Sequence, residues 1–127
     1  MSQYALIIDD YPANVEALSI LLKQNGVTPI YIPYIDALPA NLMAVERVEV
    51  VFLDLEMPAR SGFEVLHEIK ALDRFKDVPI VAYTVHTSEQ NEAKLAGFHS
   101  FLGKPLDVNR FPDQLRRILD GIPVWEV

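Results

Sequence analysis

Cysteine is absent from the 127 residues of this chain, and long apolar runs are absent as well. Without cysteine, disulfide bonds and thiolate metal sites are excluded. No apolar stretch approaches the roughly 20 residues that a membrane-spanning helix needs, and the N-terminus lacks the basic and then apolar layout of a signal peptide. We therefore expect a soluble protein of the cytoplasm.

Positive charge is also scarce. Lys and Arg number 11 against 18 Asp and Glu, which gives a net charge of −7, and the basic residues form no block. This balance argues against a surface for nucleic acid or for an anionic membrane, whereas protein partners and small anionic ligands stay open. Half of the residues are apolar, so the chain can form one compact domain with a substantial core.

Five apolar runs alternate with helical patterns, and no repeat, low-complexity tract or linker interrupts them. This alternation is typical of β-α-β units wound into a parallel sheet. It predicts strands that cover Tyr4–Asp9, Val27–Pro33, Glu49–Asp54, Pro79–Thr84 and His99–Gly103. The predicted fold class is α/β, a doubly wound parallel sheet of five strands with helices on both faces.

Apolar residues at a spacing of three to four mark the helices between these strands. The first stripe is Val15, Leu18 and Leu22, the third is Val65, Ile69 and Leu72, and the last is Phe111, Leu115, Ile118 and Leu119. A second helix near 36–46 requires Pro39 in its first turn. The predicted helix starts are Ser61 with Glu64, Thr87 with Gln90, both as capping boxes, and Asp107 as a plain cap.

Two prolines indicate the order of the strands. Pro29 and Pro33 have the same parity, so their missing N–H groups face the same side of the second strand. Only an edge strand can turn that side to solvent without losing ladder hydrogen bonds. The second strand is therefore predicted at an edge, which fits the flavodoxin-like order 2-1-3-4-5.

Acidic residues follow the two strands that this order makes neighbours. Asp9 and Asp10 follow the run Leu6-Ile7-Ile8, and Asp54 follows the run from Val50 to Leu53. The carboxyl ends of parallel strands meet at one edge of the sheet, where ligands bind in open α/β folds. Carboxylates this close repel one another and raise each other's pKa unless a cation lies among them. The pattern predicts a site for a hard metal ion.

The segment Asp54-Leu55-Glu56-Met57-Pro58-Ala59-Arg60-Ser61-Gly62 has Asp9-Asp10 before it and Thr84 and Lys104-Pro105 after it. In this order and spacing the chain resembles the receiver domain of two-component response regulators. Thr84 lies 30 residues after Asp54, and Lys104 lies 20 residues further on. The resemblance covers essentially the whole chain, with the receiver over residues 1–121 and a tail over 122–127.

The resemblance implies a role for each matching position. Asp54 is the phosphoacceptor for a sensor histidine kinase or a histidine phosphotransfer protein. Mg²⁺ is bound by Asp10, by Asp54, by the backbone carbonyl of Glu56 and, through water, by Asp9. Thr84 and Lys104 bind the phosphoryl group, and Phe101 is the aromatic switch residue, although it could also be an ordinary core residue.

The residue types suit this chemistry without the family. A carboxylate that attacks a phosphorus bearing anionic oxygens needs positive charge around those oxygens. Mg²⁺ and Lys104 supply that charge, and Mg²⁺ accepts a few protein oxygens while keeping several waters. Pro105 restricts the backbone of Lys104 and can help to aim its ammonium.

Three positions depart from the common family pattern. Val85 follows Thr84 where a small residue is usual, and we expect it to narrow access to Asp54. Glu56 adds an acid at the rim, and we expect its charge to affect the lifetime of the phosphoryl group. Phe101 replaces the frequent tyrosine, so a switch at this position must work by packing alone.

The expected mechanism is a shift between two conformations. A phosphoryl group on Asp54 attracts Thr84 and Lys104, and movement of Thr84 opens space for Phe101 to swing inward. The surface formed by the fourth helix, the fifth strand and the fifth helix then changes, which alters binding of a downstream protein or of a second copy. The protein promotes its own phosphorylation and dephosphorylation but is not a metabolic enzyme.

Alternatives stay open at this point. A Mg²⁺-dependent phosphohydrolase of the haloacid dehalogenase type also uses an Asp nucleophile, although it places Asp-x-Asp on that strand and this chain has Asp54-x-Glu56. An interaction module that has lost phosphorylation is the other alternative. Flavin binding is disfavoured because no phosphate loop rich in Gly, Ser and Thr follows the first strand. Trp125 in the tail either packs back on its own domain or docks on another protein.

Overall fold

In the part of the chain that the structure describes, six parallel strands form a single sheet in the order β2-β1-β3-β4-β5-β6. The computed structural model describes residues 3–32, 45, 47–57 and 60–126. The strands are β1 Gln3–Ile8, β2 Val27–Tyr31, β3 Val50–Asp54, β4 Ile80–Thr84, β5 Ser100–Gly103 and β6 Trp125–Glu126. The α/β fold class and the predicted order of the first five strands are thereby confirmed, and the sheet has one strand more than predicted.

Helices cover both faces of the sheet. The described α-helices are α1 Pro12–Gln24, α2 Gly62–Lys70, α3 Gln90–Ala96 and α4 Phe111–Leu119. Short 3₁₀ turns cover Asp73–Phe75 and Thr87–Glu89. The predicted second helix over 36–46 lies outside the described residues apart from Val45, as do Pro33 and Pro39. As a result, α3 and α4 correspond to the fourth and fifth predicted helices.

Alternation along the strands divides the core into two layers, because successive side chains point to opposite faces. Leu53 and Phe101 pack with α2 and α3 on one face. Phe52 and Tyr83 pack with α1 and α4 on the other. Strands β3 and β4 are buried over their whole length, as expected for central parallel strands that are covered on both sides.

The sheet register places the strand ends that carry polar residues beside one another. Ile8 pairs with Leu53, so Asp9 and Asp54 follow on neighbouring strands. Asp54 pairs with Tyr83 on β4. Thr84 in turn pairs with Gly103, one residue before Lys104. The residues of the predicted site therefore lie together at the carboxyl edge of the sheet.

The helix caps agree with the sequence only in part. Ser61 is the N-cap of α2, and its hydroxyl accepts a hydrogen bond from the N–H of Phe63 at 3.0 Å. The prediction that Thr87 caps the next helix was wrong, because Thr87 begins a 3₁₀ turn and α3 begins at Gln90. The Asp107 carboxylate accepts from the N–H groups of Asn109 and Arg110. It therefore caps the turn that leads into α4, while Arg110 is the N-cap of the helix itself.

The sixth strand comes from the tail. Gly121 has a left-handed φ of 85°, which glycine adopts readily, and the chain turns there after α4. Trp125 then pairs with Phe101, and Glu126 pairs with Leu102. The tail thus packs back on its own domain, which was one of the two predicted placements.

Within the part of the chain that the structure describes, no helix combines the length and apolar character that crossing a membrane requires.

Candidate functional site

Three carboxylates meet at the carboxyl edge of the sheet. Asp9 follows β1 and is 1% exposed, Asp10 is exposed, and Asp54 ends β3 and is 4% exposed. Each contributes an oxygen atom, and these three atoms lie within 4.8 Å of one another. The structure therefore brings together the acids that the strand pattern predicted.

Lys104 joins two of these acids. Its Nζ lies 3.2 Å from Asp9 Oδ2 and 3.3 Å from Asp54 Oδ1. The backbone N–H of Lys104 donates to the Thr84 carbonyl at 2.9 Å, which fixes this residue at the end of β5. The peptide bond between Lys104 and Pro105 is cis.

The environment of Asp54 disfavours its charged form. Burial raises the pKa of this carboxyl to about 6, and the nearby Asp9 charge also raises it. Lys104 and the N–H of Glu56, at 3.1 Å from Oδ1, act in the opposite direction. The cluster is therefore short of positive charge.

The donor set of this cluster fits Mg²⁺. Three carboxylates lie together and one ammonium contacts two of them, and hard oxygen ligands with excess negative charge are what this ion prefers. Among the described residues, the hydrogen bond and the ion pair of Asp54 both use Oδ1. Its other oxygen can therefore face a cation or an incoming phosphorus.

Thr84 lies fully buried at the end of β4. Its Oγ1 accepts a hydrogen bond from the N–H of His86 at 3.1 Å. A hydroxyl that accepts in this way still has its own proton to donate. Thr84 can therefore offer a hydrogen bond to an anionic oxygen at the strand edge.

Tyr83 is a part of the site that the sequence analysis missed. Its hydroxyl donates to Asp9 Oδ2 at 2.6 Å, and Lys104 Nζ lies 4.2 Å from the centroid of its ring. Burial and the Asp9 carboxylate raise the pKa of this phenol above its usual range, so it remains a donor. In the sequence, the only indication of this role is that Tyr83 directly precedes Thr84, near the carboxyl end of the predicted strand.

Asp9 is held on both of its oxygens. Tyr83 and Lys104 bind Oδ2, and the backbone N–H of Tyr11 donates to Oδ1 at 2.9 Å. A carboxylate with so many partners has little freedom to reorient. Its neighbour Asp10 is exposed and is the freer of the two paired acids.

A second pair of acids lies at the rim. Glu56 is exposed, and burial together with the Glu56 carboxylate raises the pKa of Glu89 to about 7. Val85 directly follows Thr84 and is 61% exposed. The rim is therefore acidic at Glu56 and Glu89 and apolar at Val85.

Phe101 does not join the acid cluster. It is fully buried and stacks on Trp125, with ring centroids 6.0 Å apart and an angle of 13° between the planes. Because Phe101 already lies inside, the inward swing expected from the sequence is not available from this position. The stack connects Phe101 to Trp125 on the neighbouring surface.

Gly62, the first residue of α2, lies close to the backbone of Asp54. A Cβ atom at Gly62 would meet the Asp54 carbonyl oxygen at 2.6 Å and Leu55 Cα at 2.8 Å. Only glycine, which has no Cβ atom, allows α2 to approach the β3 backbone this closely. Gly62 thus lets α2 start directly against the backbone of the candidate phosphoacceptor.

Comparison with known proteins identifies the family. The model of the response regulator receiver domain matches residues 5–116. This chain therefore belongs to the receiver domains of response regulators, as its resemblance indicated.

Individual relatives that the chain resembles are proteins of signal transduction. The chain is 25% identical to the signal transduction histidine-protein kinase BarA of Escherichia coli K12, an alignment that covers 95% of this chain and 13% of BarA. It is 25% identical to the polar-differentiation response regulator DivK of Brucella anthropi, covering 94% of this chain and 98% of DivK. The chain spans only a small part of the kinase but nearly all of DivK.

A solved structure of similar shape is the CheY-like response regulator receiver domain from Methylobacillus flagellatus. It has a TM-score of 0.79 and 30% identity, and the match covers 93% of this chain and 99% of that chain. The family and these relatives support a role in signalling that depends on phosphorylation.

Proposed function

We propose that this chain is a phosphorylation switch that accepts a phosphoryl group on Asp54 from a phosphohistidine of a sensor histidine kinase or a histidine phosphotransfer protein in the cytoplasm. The observation that carries this proposal is the buried Asp54 carboxylate, which lies 3.3 Å from Lys104 Nζ within a cluster of three acids. A nucleophile, a positive charge and a set of oxygen ligands then lie at one sheet edge.

In the proposed reaction, an oxygen of Asp54 attacks phosphorus and the bond between phosphorus and the histidine nitrogen breaks. The imidazole leaves with the bonding electron pair, and Asp54 becomes an acyl phosphate. Lys104 neutralises charge on the phosphoryl oxygens, as phosphoryl transfer requires. Asp10, Asp54 and the Glu56 carbonyl are proposed to hold Mg²⁺, with Asp9 acting through water, and the ion supplies further positive charge.

The acyl phosphate redistributes hydrogen bonds at the edge. It carries more charge and more acceptor oxygens than the carboxylate that it replaces. Thr84, which can donate its hydroxyl proton, and Lys104, which now binds Asp9 and Asp54, both gain a stronger partner. This bias favours a second conformation of β4 and β5 and of the surface next to them.

An apolar groove beside Lys104 supports docking of the phosphohistidine partner. Its volume is about 370 Å³. It lies between α1 and the loop after β5, and its lining includes Leu21, Tyr83 and Leu106 together with the exposed Ile20 and Val108. A partner helix that covers exposed apolar side chains here would approach the acid cluster from the side of Lys104.

The decisive experiment is incubation with acetyl phosphate and Mg²⁺, followed by intact mass measurement. We expect one phosphoryl group on the wild type, none on Asp54→Asn, and the wild-type result for Asp120→Asn, which removes an exposed acid far along the chain. Continuous release of phosphate from small phosphomonoesters would instead favour the phosphohydrolase. An unmodified wild type would favour the interaction module that has lost phosphorylation.

A further inference from the structure

Residues 122–126, which we name the cover segment, occupy the outer edge of β5. The Phe101 N–H donates to the Val124 carbonyl at 2.8 Å, and the Val124 N–H donates to Ser100 Oγ at 2.9 Å. Val124 is almost completely buried. The backbone groups that an edge strand normally offers to a partner are therefore taken by the same chain.

Trp125 of the cover segment contacts both β5 and α3. Trp125 stacks on Phe101 of β5, and the ammonium of Lys94 on α3 lies 5.1 Å from the centroid of the Trp125 ring. These contacts lie between α3 and β5. The cover segment thus lies on the surface that the sequence predicted to change on phosphorylation.

Glu126 anchors the segment to α4. Its carboxylate accepts from Gln114 Nε2 at 2.9 Å and from Arg117 Nη2 at 2.8 Å, and it also binds Arg110. A carboxylate with two guanidinium partners is well matched in geometry and charge. The segment is thereby held on β5, on α3 and on α4.

Strand β5 connects the cover segment to the acid cluster. Phe101 contacts Trp125, and Lys104, three residues further along, contacts Asp9 and Asp54. Ala82 on β4 pairs with Phe101, and Thr84 pairs with Gly103. A change in the partners of Thr84 and Lys104 therefore acts on the same two strands that support Trp125.

We infer that the edge of β5 is a binding site for an extended peptide segment with an aliphatic, an aromatic and an acidic residue in succession. Val124, Trp125 and Glu126 occupy this site within the chain, and phosphorylation of Asp54 favours their release. The downstream partner then adds its own strand, with an aromatic residue over Phe101 and a carboxylate between Arg110 and Arg117. This inference rests on the proposed function, because release is linked to the phosphoryl group.

The linkage has a physical basis in the two conformations. The stack of Phe101 on Trp125 depends on the position of β5, and a phosphoryl group at Asp54 attracts Lys104 from the end of that strand. A state in which Lys104 and Thr84 have moved no longer presents Phe101 in the same place. Binding of the cover segment and phosphorylation then oppose each other, and this opposition is reciprocal.

Trp125 is the only tryptophan of the chain, so its fluorescence reports on the segment directly. The full chain is incubated with acetyl phosphate and Mg²⁺, while intact mass follows Asp54 and acrylamide quenching follows Trp125. We expect the emission to shift to the red and quenching to increase as the phosphoryl group is added, with no change in Asp54→Asn. A wild type that carries the phosphoryl group with unchanged emission and quenching overturns the inference and leaves the proposed function intact.

A second measurement tests reciprocity with beryllium fluoride, which mimics the phosphoryl group without a covalent bond. Glu126→Gln weakens the segment at a distance from the acids, and we expect it to bind this mimic more tightly than the wild type does. Asp113→Asn is the matched control, because Asp113 shares Arg117 but not the segment. Equal affinity of Glu126→Gln and the wild type for beryllium fluoride contradicts the linkage. A wild type that is not phosphorylated on Asp54 overturns both the inference and the proposed function.

Discussion

Two charged clusters at opposite sides of β5 have opposite compositions. At the acid cluster, Asp9 and Asp54 share the single ammonium of Lys104. At the end of the cover segment, the single carboxylate of Glu126 binds both Arg110 and Arg117. The pKa of Asp54 is raised to about 6, chiefly by burial, whereas hydrogen bonds from Gln114, Arg117 and Arg110 lower the pKa of Glu126 to about 2.

This difference separates a reactive site from a structural one. At the acid cluster, three carboxylates face one ammonium, so the cluster gains stability from a cation that enters. With Asp113 also beside Arg117, the Glu126 cluster pairs two guanidinium groups with two carboxylates and needs no added ion. The first therefore suits binding and chemistry, and the second suits holding a segment in place.

Removal of Lys104 should change the comparison most. We expect Lys104→Met to slow phosphorylation of Asp54 by about 100-fold, as loss of one charge-stabilising donor typically does, because no ammonium then faces the phosphoryl oxygens. The rate is measured by intact mass with acetyl phosphate and Mg²⁺. Lys76→Met is the control, since it removes an exposed ammonium from the turn before β4 instead, and similar rates in the two variants would contradict the assignment of Lys104.

Tyr83→Phe should have the next largest effect. It keeps the ring under Lys104 but removes the hydrogen bond to Asp9. We expect Mg²⁺ affinity to fall by about 10-fold, in line with other groups that orient metal ligands, and the free energy of unfolding to fall by about 1.5 kcal/mol, as for a hydrogen bond to a charged group. Calorimetric titration and denaturant unfolding measure these changes, and Tyr11→Phe, which keeps its backbone contact with Asp9, should resemble the wild type.

Acid should release the cover segment at a pH below the pKa of about 6 at which Asp54 itself takes up a proton. The pKa of Glu126 falls from 4.5 to about 2 in the folded protein, so its stabilising contribution is fully present above pH 4.5 and is lost as the pH falls toward 2. Because the Glu126 side chain is 26% exposed and solvent screens its ion pairs, this contribution is no more than about 1 kcal/mol. Asp113 is a second acid that faces Arg117.

The measurement is acrylamide quenching of Trp125 across that pH range. We expect quenching to rise in acid in the wild type and in Asp113→Asn. In Glu126→Gln it should be higher at neutral pH and nearly constant on acidification. A pH profile in Glu126→Gln that matches the wild type would show that another group controls the segment.

Val85→Ala should have the smallest effect. Val85 is mostly exposed next to Thr84, and a smaller side chain would open the approach to Asp54. We expect phosphorylation and dephosphorylation each to accelerate by less than tenfold, which corresponds to less than about 1.4 kcal/mol of activation free energy. Identical rates in Val85→Ala and the wild type would contradict a role for this residue in access.

The acid cluster was accessible from sequence because its causes are local and regular. Buried parallel strands that end in Asp9 and Asp54 reveal both their direction and their polar ends, and Pro29 marks β2 as an edge strand. The roles of Asp54 and Lys104 remain predictions that the experiments above test, and those of Thr84 and Phe101 remain predictions as well.

The features that escaped prediction depend on contacts between distant parts of the chain. Tyr83 looks like any buried strand residue until Asp9 is placed 2.6 Å from its hydroxyl. Strand β6 has only two residues, too few for a period of two to be visible in sequence. Thr87 failed as a cap because the chain first makes a 3₁₀ turn, and propensity alone does not distinguish the two kinds of helix.

The brevity of β6 also matters for colloidal behaviour. Open sheet edges are templates on which other chains can grow amyloid-like or disordered assemblies. At one margin this sheet ends in β2, where Pro29 lacks an N–H group, and at the other it ends in the two residues of β6. Over the residues that the structure describes, neither margin offers the long, regular row of backbone donors and acceptors on which uncontrolled polymerisation depends.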